Sequence, residues 1–163
     1  MYLNDHLAGA TAGTELARRM VAEHRDSAFG SELKALAAEI SHDRQHLLRL
    51  LDDLDVAVSR YKVYGAWLGE KAARVKPNGR LLRRSGLTML VELEAMRLGV
   101  QGKVLLWRVL LSASADEPRL ETDWLEQLLH RAERQLRTLD SLHARATTAL
   151  LSATPQKAPG AAR

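Results

Sequence analysis

Residues 31–54 read SELKALAAEISHDRQHLLRLLDDL, and their apolar side chains recur at the three- and four-residue spacing of one helix face. The stripe consists of Leu33, Leu36, Ala37, Ile40, Leu47, Leu51 and Leu54. Ser31 at its start is a preferred helix N-cap, and Gly30 is a residue type that commonly ends a preceding helix. The stretch therefore predicts a long amphipathic helix with another helix ahead of it.

Similar stripes predict three further long helices. The first covers about 2–27, the third begins after Ser85, and the last continues to about Leu151. Ser114 and Glu117 have the spacing of a capping box, which predicts that the last helix begins there.

Composition supports an all-α fold. Ala, Glu, Lys, Leu and Arg make up 89 of the 163 residues, which is typical of long helices. Nine Val, one Ile and eight Thr supply too few strand-forming residues for a mainly-β or an α/β fold. The chain has no Cys, so disulfides and thiolate metal ligands are excluded. We expect one helical domain over residues 1–153 and a disordered tail over 154–163, where Pro and Gly interrupt any apolar period.

The connection between the second and third helices decides the topology. Residues 55–85 have a weaker apolar pattern, with one short helix expected near 61–75 before the turn Pro77-Asn78-Gly79. The predicted fold is therefore four long helices, arranged as two antiparallel hairpins joined by a crossover with one short helix. This is the connectivity of ferritin-like four-helix bundles.

The third helix has two apolar flanks. We expect one of them to face the core, and it contains Leu87, Leu90, Val91, Leu98 and Leu105. The other is expected to be exposed and to form a homodimer contact, and it contains Leu93, Val100, Val104, Trp107 and Leu111.

Several polar residues fall on apolar faces and are candidates for buried polar chemistry or for metal binding. They are His6, Asp43, Glu94 and His143. Glu94 is the clearest of them, because it lies between Leu90 and Leu98 on the face that we expect to be buried. Two interpretations stay open, a site for Fe or Mn built from His and carboxylate ligands, or buried ion pairs and hydrogen-bonded core histidines.

A ferritin-like di-metal site needs an inward Glu-x-x-His on each of two helices. Glu39 and His42 have this spacing, but His42 projects away from the apolar stripe of its helix, and no second inward pair exists. The sequence therefore predicts no bound cofactor, and it leaves catalytic residues unknown.

Charge is unevenly distributed along the chain. Residues 1–58 carry six basic and ten acidic groups, whereas residues 59–112 carry eleven and three. A basic segment without any acid consists of Lys71, Arg74, Lys76, Arg80, Arg83 and Arg84. Such a cluster favours a phosphate-rich or otherwise anionic partner. The alternative is that the acidic first hairpin neutralises it within the chain or across an oligomer.

Some short stretches carry a resemblance. They are YLNDHLAG at 2–9, NGRLL at 78–82, ELE at 92–94, GV at 99–100 and GK at 102–103. Over most of residues 1–111 the chain resembles an uncharacterised family of bacterial helical proteins. It is similar in connectivity, rather than in ligand motif, to the ferritin-like superfamily. The resemblance implies a small bacterial helical domain and no known activity.

These observations favour a binding or interaction protein rather than an enzyme. We expect a cytoplasmic homodimer without a membrane span, because no uncharged run approaches the length of a bilayer-spanning helix. Its partner is an anionic ligand or a protein. The alternative function is a ferritin-like metal-binding oxidoreductase or a metal-storage protein.

Overall fold

The computed structural model describes residues 1–59 and 86–153, and these residues form α-helices with no strand among them. The helices are α1 (Tyr2–Glu23), α2 (Gly30–Asp53), α3 (Gly86–Ala113) and α4 (Thr122–Ala153). The prediction of an all-α chain with four long helices is confirmed. The predicted crossover helix, the basic segment and the C-terminal tail lie outside the described residues.

The turn between α1 and α2 differs from the prediction. Gly30 is the first residue of α2 and is buried, rather than the residue that ends α1. Its N–H donates to the carbonyl oxygen of Ser27 at 3.0 Å. A Cβ atom at this position would collide with the carbonyl oxygen of Arg25 and lie 2.9 Å from that of His24. The close approach of the backbone, and not a helix end, therefore requires glycine here.

The start of α4 also differs from the prediction. Helix α4 begins at Thr122, eight residues after the expected cap Ser114. The Ser114 hydroxyl donates to the carbonyl oxygen of Leu111 at 2.8 Å, so it belongs to the end of α3. The Glu117 carboxylate pairs with Arg119 at 2.8 Å and caps no helix. Hydrogen bonds from Arg119 lower the pKa of Glu117 to about 2.

The four helices pack together around two apolar clusters. Helix α1 contacts α2 and α3, and α3 contacts α4. One cluster includes Leu7, Leu51, Trp107 and Leu125, and the other includes Met20, Leu36, Leu93 and Leu142. Every helix contributes to both clusters, so burial of this apolar surface holds the bundle together.

Helix α3 faces the core with the flank that was expected to be exposed. Leu93, Val100, Val104 and Trp107 are all at most 3% exposed. Leu87, Val91, Leu98 and Leu105, which were expected in the core, are at least 51% exposed. The prediction failed because α3 is apolar on both flanks, so its periodicity does not single out one buried face.

None of the four described helices combines the length and the apolar composition that a bilayer-spanning helix needs.

Candidate functional site

A group of polar side chains lies between the two apolar clusters, halfway along the bundle. It consists of Glu39 and Asp43 from α2, Lys103 from α3, and Arg131 and Gln135 from α4. We call it the polar cluster. Asp43 and Gln135 are almost fully buried. Helical spacing places each member one turn from core residues, so the polar cluster interrupts an otherwise apolar interior.

Asp43 is the centre of the polar cluster. Its carboxylate forms an ion pair with Lys103, which also donates a hydrogen bond to it. Arg131 Nη2 lies 2.6 Å from Asp43 Oδ1, close enough for an ion pair but poorly aligned for a hydrogen bond. One buried anion therefore faces two cations from different helices.

Gln135 connects the remaining groups. Its Nε2 donates to Asp43 Oδ2 and to Glu39 Oε2, at 3.0 Å in each case. Its Oε1 accepts from Lys103 Nζ at 2.5 Å. The amide thus satisfies donors and acceptors at once, as a buried polar group must if it is not to destabilise the fold.

Charge in the polar cluster is balanced, with two carboxylates and two cations. Burial lowers the pKa of Lys103, and the neighbouring Asp43 carboxylate opposes that shift. Because each charged group faces an opposite charge or the Gln135 amide, the arrangement links α2, α3 and α4. Two surface clefts, one lined by residues 48–58 and the other by residues of α1 and α2 such as Thr14 and Ser41, include none of the members of the polar cluster.

His46 lies one turn beyond Asp43 on α2. Its ring packs edge-on against Trp124, with the ring centroids 5.5 Å apart. Burial lowers the pKa of His46, the nearby cations Arg131 and Arg49 lower it further, and Asp43 opposes them. The imidazole is therefore held in its neutral form more strongly than a free histidine.

The four predicted polar residues do not converge on one site. Asp43 is buried, as predicted, but its partners are the cations described above. His6 packs against the ring of Tyr2, with centroids 4.7 Å apart. Glu94 Oε1 and His143 Nε2 are 3.1 Å apart on the surface between α3 and α4.

The prediction that Glu94 is buried is wrong, because its side chain is 59% exposed. Glu94 lies on the same flank of α3 as Val91 and Leu98. That flank is exposed because the opposite flank packs in the core. The pairing with His143 is half-exposed as well and resembles an ordinary surface contact.

Lys103, Arg131 and Gln135 were not identified from the sequence. Gln135 is on the same apolar stripe as Ala132 and Leu139, which are both buried. The criterion that singled out Asp43, a polar residue on an apolar face, applies equally to Gln135. Lys103 meets it too, since it lies three residues after Val100 and four before Trp107, but the sequence analysis expected that flank of the helix to be exposed, where a lysine is ordinary.

One group in the described part of the chain has the geometry to hold a metal ion. Glu23 and His24 at the end of α1 and Glu92 of α3 each offer a ligand atom, all within 4.8 Å of one another. Arg19 Nε lies 3.5 Å from Glu92 Oε1 and competes for that carboxylate. None of these residues belongs to the predicted set.

The Glu-x-x-His spacing of Glu39 and His42 does not form a site. His42 is exposed, as expected, while Glu39 accepts a hydrogen bond from Gln135 inside the bundle. The two side chains therefore point to different places, His42 to solvent and Glu39 to the interior of the bundle.

The helical bundle agrees with the coarsest part of the resemblance seen in the sequence. A bacterial origin rests on the short sequence stretches alone, and a ferritin-like relationship rests on the connectivity predicted from the sequence. No protein-family model matches the chain, and no curated protein or solved structure matches it significantly.

Proposed function

We propose that this protein is a helical-bundle interaction protein that binds an anionic partner through the basic segment. The segment holds six cations within residues 71–84 and no acid. Phosphate groups on a nucleic acid or on a lipid surface are the anions that such a density of cations attracts most strongly. Binding releases counterions, so it weakens steeply as salt rises.

The observation that supports this proposal concerns the acids of the first two helices. Glu15 pairs with Arg18 at 2.8 Å, and Glu32 pairs with Arg145 of α4 at 2.6 Å. Asp43 is held inside the polar cluster. Because these acids already have partners within the bundle, fewer of them are available to neutralise the basic segment.

We also propose ferritin-like connectivity and self-association as a homodimer. The connectivity is supported by contacts between successive helices. Arg44 in the second half of α2 donates to Thr11 in the first half of α1 at 3.0 Å, and Arg108 in the second half of α3 pairs with Glu133 in the first half of α4 at 3.0 Å. Both contacts are those of antiparallel hairpins. A bacterial source and a cytoplasmic location stay predictions from the sequence.

Anion binding is tested by fluorescence anisotropy with labelled single-stranded RNA and duplex DNA, and by sedimentation with anionic and neutral vesicles. Replacing Arg80, Arg83 and Arg84 by Gln should weaken binding roughly tenfold or more at about 50 mM salt. The matched control replaces the exposed cations Arg18, Arg25 and Lys34 by Gln, and it should change the affinity less than about twofold.

The probes separate the sources of phosphate. Binding to RNA or DNA alone identifies a nucleic-acid partner, and binding to anionic vesicles alone identifies a membrane surface. Absence of binding to every probe at low salt, or an equal loss in both triple variants, would contradict the proposed role of the basic segment.

Metal binding is the second candidate function, favoured by the convergence of Glu23, His24 and Glu92. Carboxylate and imidazole ligands suit Fe or Mn, the metals expected for a ferritin-like oxidoreductase or storage protein. Plasma mass spectrometry on protein from metal-supplemented cells should find about one equivalent that His24→Ala loses and the exposed control His130→Ala keeps. No metal in the wild-type protein would remove this candidate.

A further inference from the structure

The outward face of α3 carries a row of large apolar side chains. The row consists of Leu87, Val91, Leu98, Leu105 and Val109, which are 59, 52, 71, 51 and 50% exposed. We call it the outer stripe. At about 100° per residue, all five side chains project within about 20° of the direction of Leu98. The exposed Glu94 lies between Val91 and Leu98 along the helix, about 40° from the row, so the row is not continuous. Five large exposed apolar side chains on one helix face are nevertheless more typical of an interaction surface than of scattered surface residues.

The outer stripe has a symmetric spacing. Leu87 and Val109 each lie eleven residues from Leu98, and Val91 and Leu105 each lie seven residues from it. A second copy of α3, turned antiparallel about Leu98, therefore meets the first with every apolar position matched. A two-fold dimer requires this property, because both subunits use the same surface patch.

We propose that the outer stripe is a homodimer interface, in which two α3 helices pack antiparallel across a two-fold axis at Leu98. Leu98 then contacts the partner's Leu98, Leu87 contacts the partner's Val109, and Val91 contacts the partner's Leu105. This inference rests on the self-association proposed above and specifies its face and register. The dimer contact is thus assigned to the outer stripe instead of the flank that contains Trp107, because that flank is buried inside the subunit.

The surface beside Leu98 allows close approach. Gly102 projects about 40° from Leu98, and a Cβ atom built on it would meet nothing within 4 Å, so the face is low and open at this position. Small residues beside the contact let two helix backbones come near each other, which increases the packing of the larger side chains.

Charge near the axis is compatible with this arrangement. Arg97 is the charged residue closest in sequence to Leu98, and two copies of it would approach each other across the axis. Each is neutralised by Asp140 of its own subunit, with Arg97 Nε 2.6 Å from Asp140 Oδ1. Glu94 lies at the height of the partner's Gly102, so no acid opposes it.

The area fits a reversible dimer. The outer stripe spans about 33 Å along the helix, and a strip one helix wide gives roughly 400 Å² on each copy. The total of about 800 Å² is below the roughly 1,200–2,000 Å² of stable specific interfaces and within the range of weak, transient ones, so we expect dissociation in the micromolar range or above.

Single-cysteine variants test the face and the register, since the natural chain contains no Cys. Leu98→Cys should form disulfide-linked dimers under mild oxidation, because a cross-axis contact brings the two Cα atoms within the roughly 4–7 Å that a disulfide needs. Leu151→Cys is the matched control, since Leu151 is 70% exposed but lies on α4. It should remain unlinked.

The antiparallel register has its own test. Leu87→Cys and Val109→Cys should each stay unlinked alone and should cross-link when the two variants are mixed. Linked dimers of Leu87→Cys alone would indicate parallel helices and would overturn the register.

Analytical ultracentrifugation over about 1–100 µM distinguishes whether the chain dimerises at all from whether it dimerises through the outer stripe. The wild-type mass should rise twofold, Leu98→Glu should stay monomeric with unchanged circular dichroism, and Leu151→Glu should behave as wild type. Dimers that persist in Leu98→Glu, without Leu98→Cys cross-links, would leave self-association standing and overturn this face. Monomers at every concentration would overturn both.

Discussion

Inside the bundle, the Asp43 carboxylate lies against the cations of Lys103 and Arg131. Without it, the two cations of the polar cluster would keep Glu39 as the one carboxylate of the cluster, so one cation would be left without a balancing charge. We expect Asp43→Ala to lower the free energy of unfolding by about 3–5 kcal/mol, measured by urea denaturation. The control is Glu94→Ala, which removes an exposed acid and should cost about 1 kcal/mol or less. Equal losses would contradict the different burial of the two acids.

The interaction between Asp43 and Lys103 can be isolated by a double-mutant cycle. Asp43→Leu and Lys103→Met each leave a buried charge with fewer opposite charges, whereas the double variant removes the pair together. The double variant should therefore be more stable than the sum of the single losses predicts, by about 1–3 kcal/mol. The same cycle between Asp43 and Glu94 should give a coupling near zero, since no contact joins them. Additive losses at Asp43 and Lys103 would exclude a direct interaction.

His46 makes stability depend on pH in one direction. Its pKa in the folded protein is lowered from 6.5, so the unfolded chain takes up a proton first as the pH falls. The stabilisation is present above pH 6.5 and is lost as the pH falls through the folded-state pKa. His6 contributes with the same sign, because burial lowers its pKa too.

We expect the unfolding temperature of the wild type to decrease when the pH is lowered from about 7.5 to about 5.5. His46→Gln should make that decrease smaller. His42→Gln is the matched control, since His42 is exposed on the same helix. Differential scanning calorimetry measures both. A fall that is the same in the wild type and in His46→Gln would show that His46 titrates normally.

Single residues were only partly predictable from the sequence. Asp43 was identified because it interrupts an apolar stripe, and the structure buries it. The same reasoning failed for Glu94, since both flanks of its helix are apolar and packing against the neighbouring helices selects the buried one. Partners such as Lys103 and Arg131 come from distant parts of the chain, so a local pattern carries no information about their meeting.

Among the elements, the tight turn before α2 depends on Gly30. A methyl group there would collide with the backbone carbonyl of Arg25, which cannot move without shifting the end of α1. Gly30→Ala should therefore lower the free energy of unfolding by about 1–3 kcal/mol.

Gly9 in the middle of α1 gives the opposite expectation. A Cβ atom there meets nothing within 4 Å, and alanine favours the helix by about 0.5–1 kcal/mol over glycine. Gly9→Ala should raise the urea midpoint while Gly30→Ala lowers it. Two changes of the same sign would show that backbone propensity alone, and not the close approach at Gly30, governs these sites.

The four long helices were predictable because their apolar stripes are regular over many turns. Their ends were less so. Ser114 has the residue type of an N-cap, but it bonds back to Leu111 and continues the end of α3. A hydroxyl can satisfy either helix end, and the choice depends on the three-dimensional course of the connection.

At the scale of the whole molecule, the polar cluster divides the core into two apolar clusters, one on each side. Apolar contacts alone would tolerate sliding of one helix along another. The links from Asp43 to Lys103 and Arg131 are satisfied at one helix alignment only, so they favour that register. The predicted all-α bundle is confirmed, whereas its candidate anion-binding segment lies outside the described residues and stays a prediction.

The outer stripe connects the stability of the whole molecule to its concentration. If the native state is a dimer and the unfolded state is monomeric, mass action makes the thermal midpoint rise with protein concentration. A hundredfold increase should stabilise each chain by about 1.4 kcal/mol, which corresponds to roughly 3–5 °C for a domain of this size. Leu98→Glu should show no such rise, because Leu98 is 71% exposed in the single subunit and its replacement removes the contact but not the fold. Scanning calorimetry at several concentrations provides the measurement, with Leu151→Glu as the control that keeps the wild-type slope. A wild-type midpoint that stays constant with concentration would show that the bundle unfolds as a monomer, and an equal slope in Leu98→Glu would assign the dimer to another face.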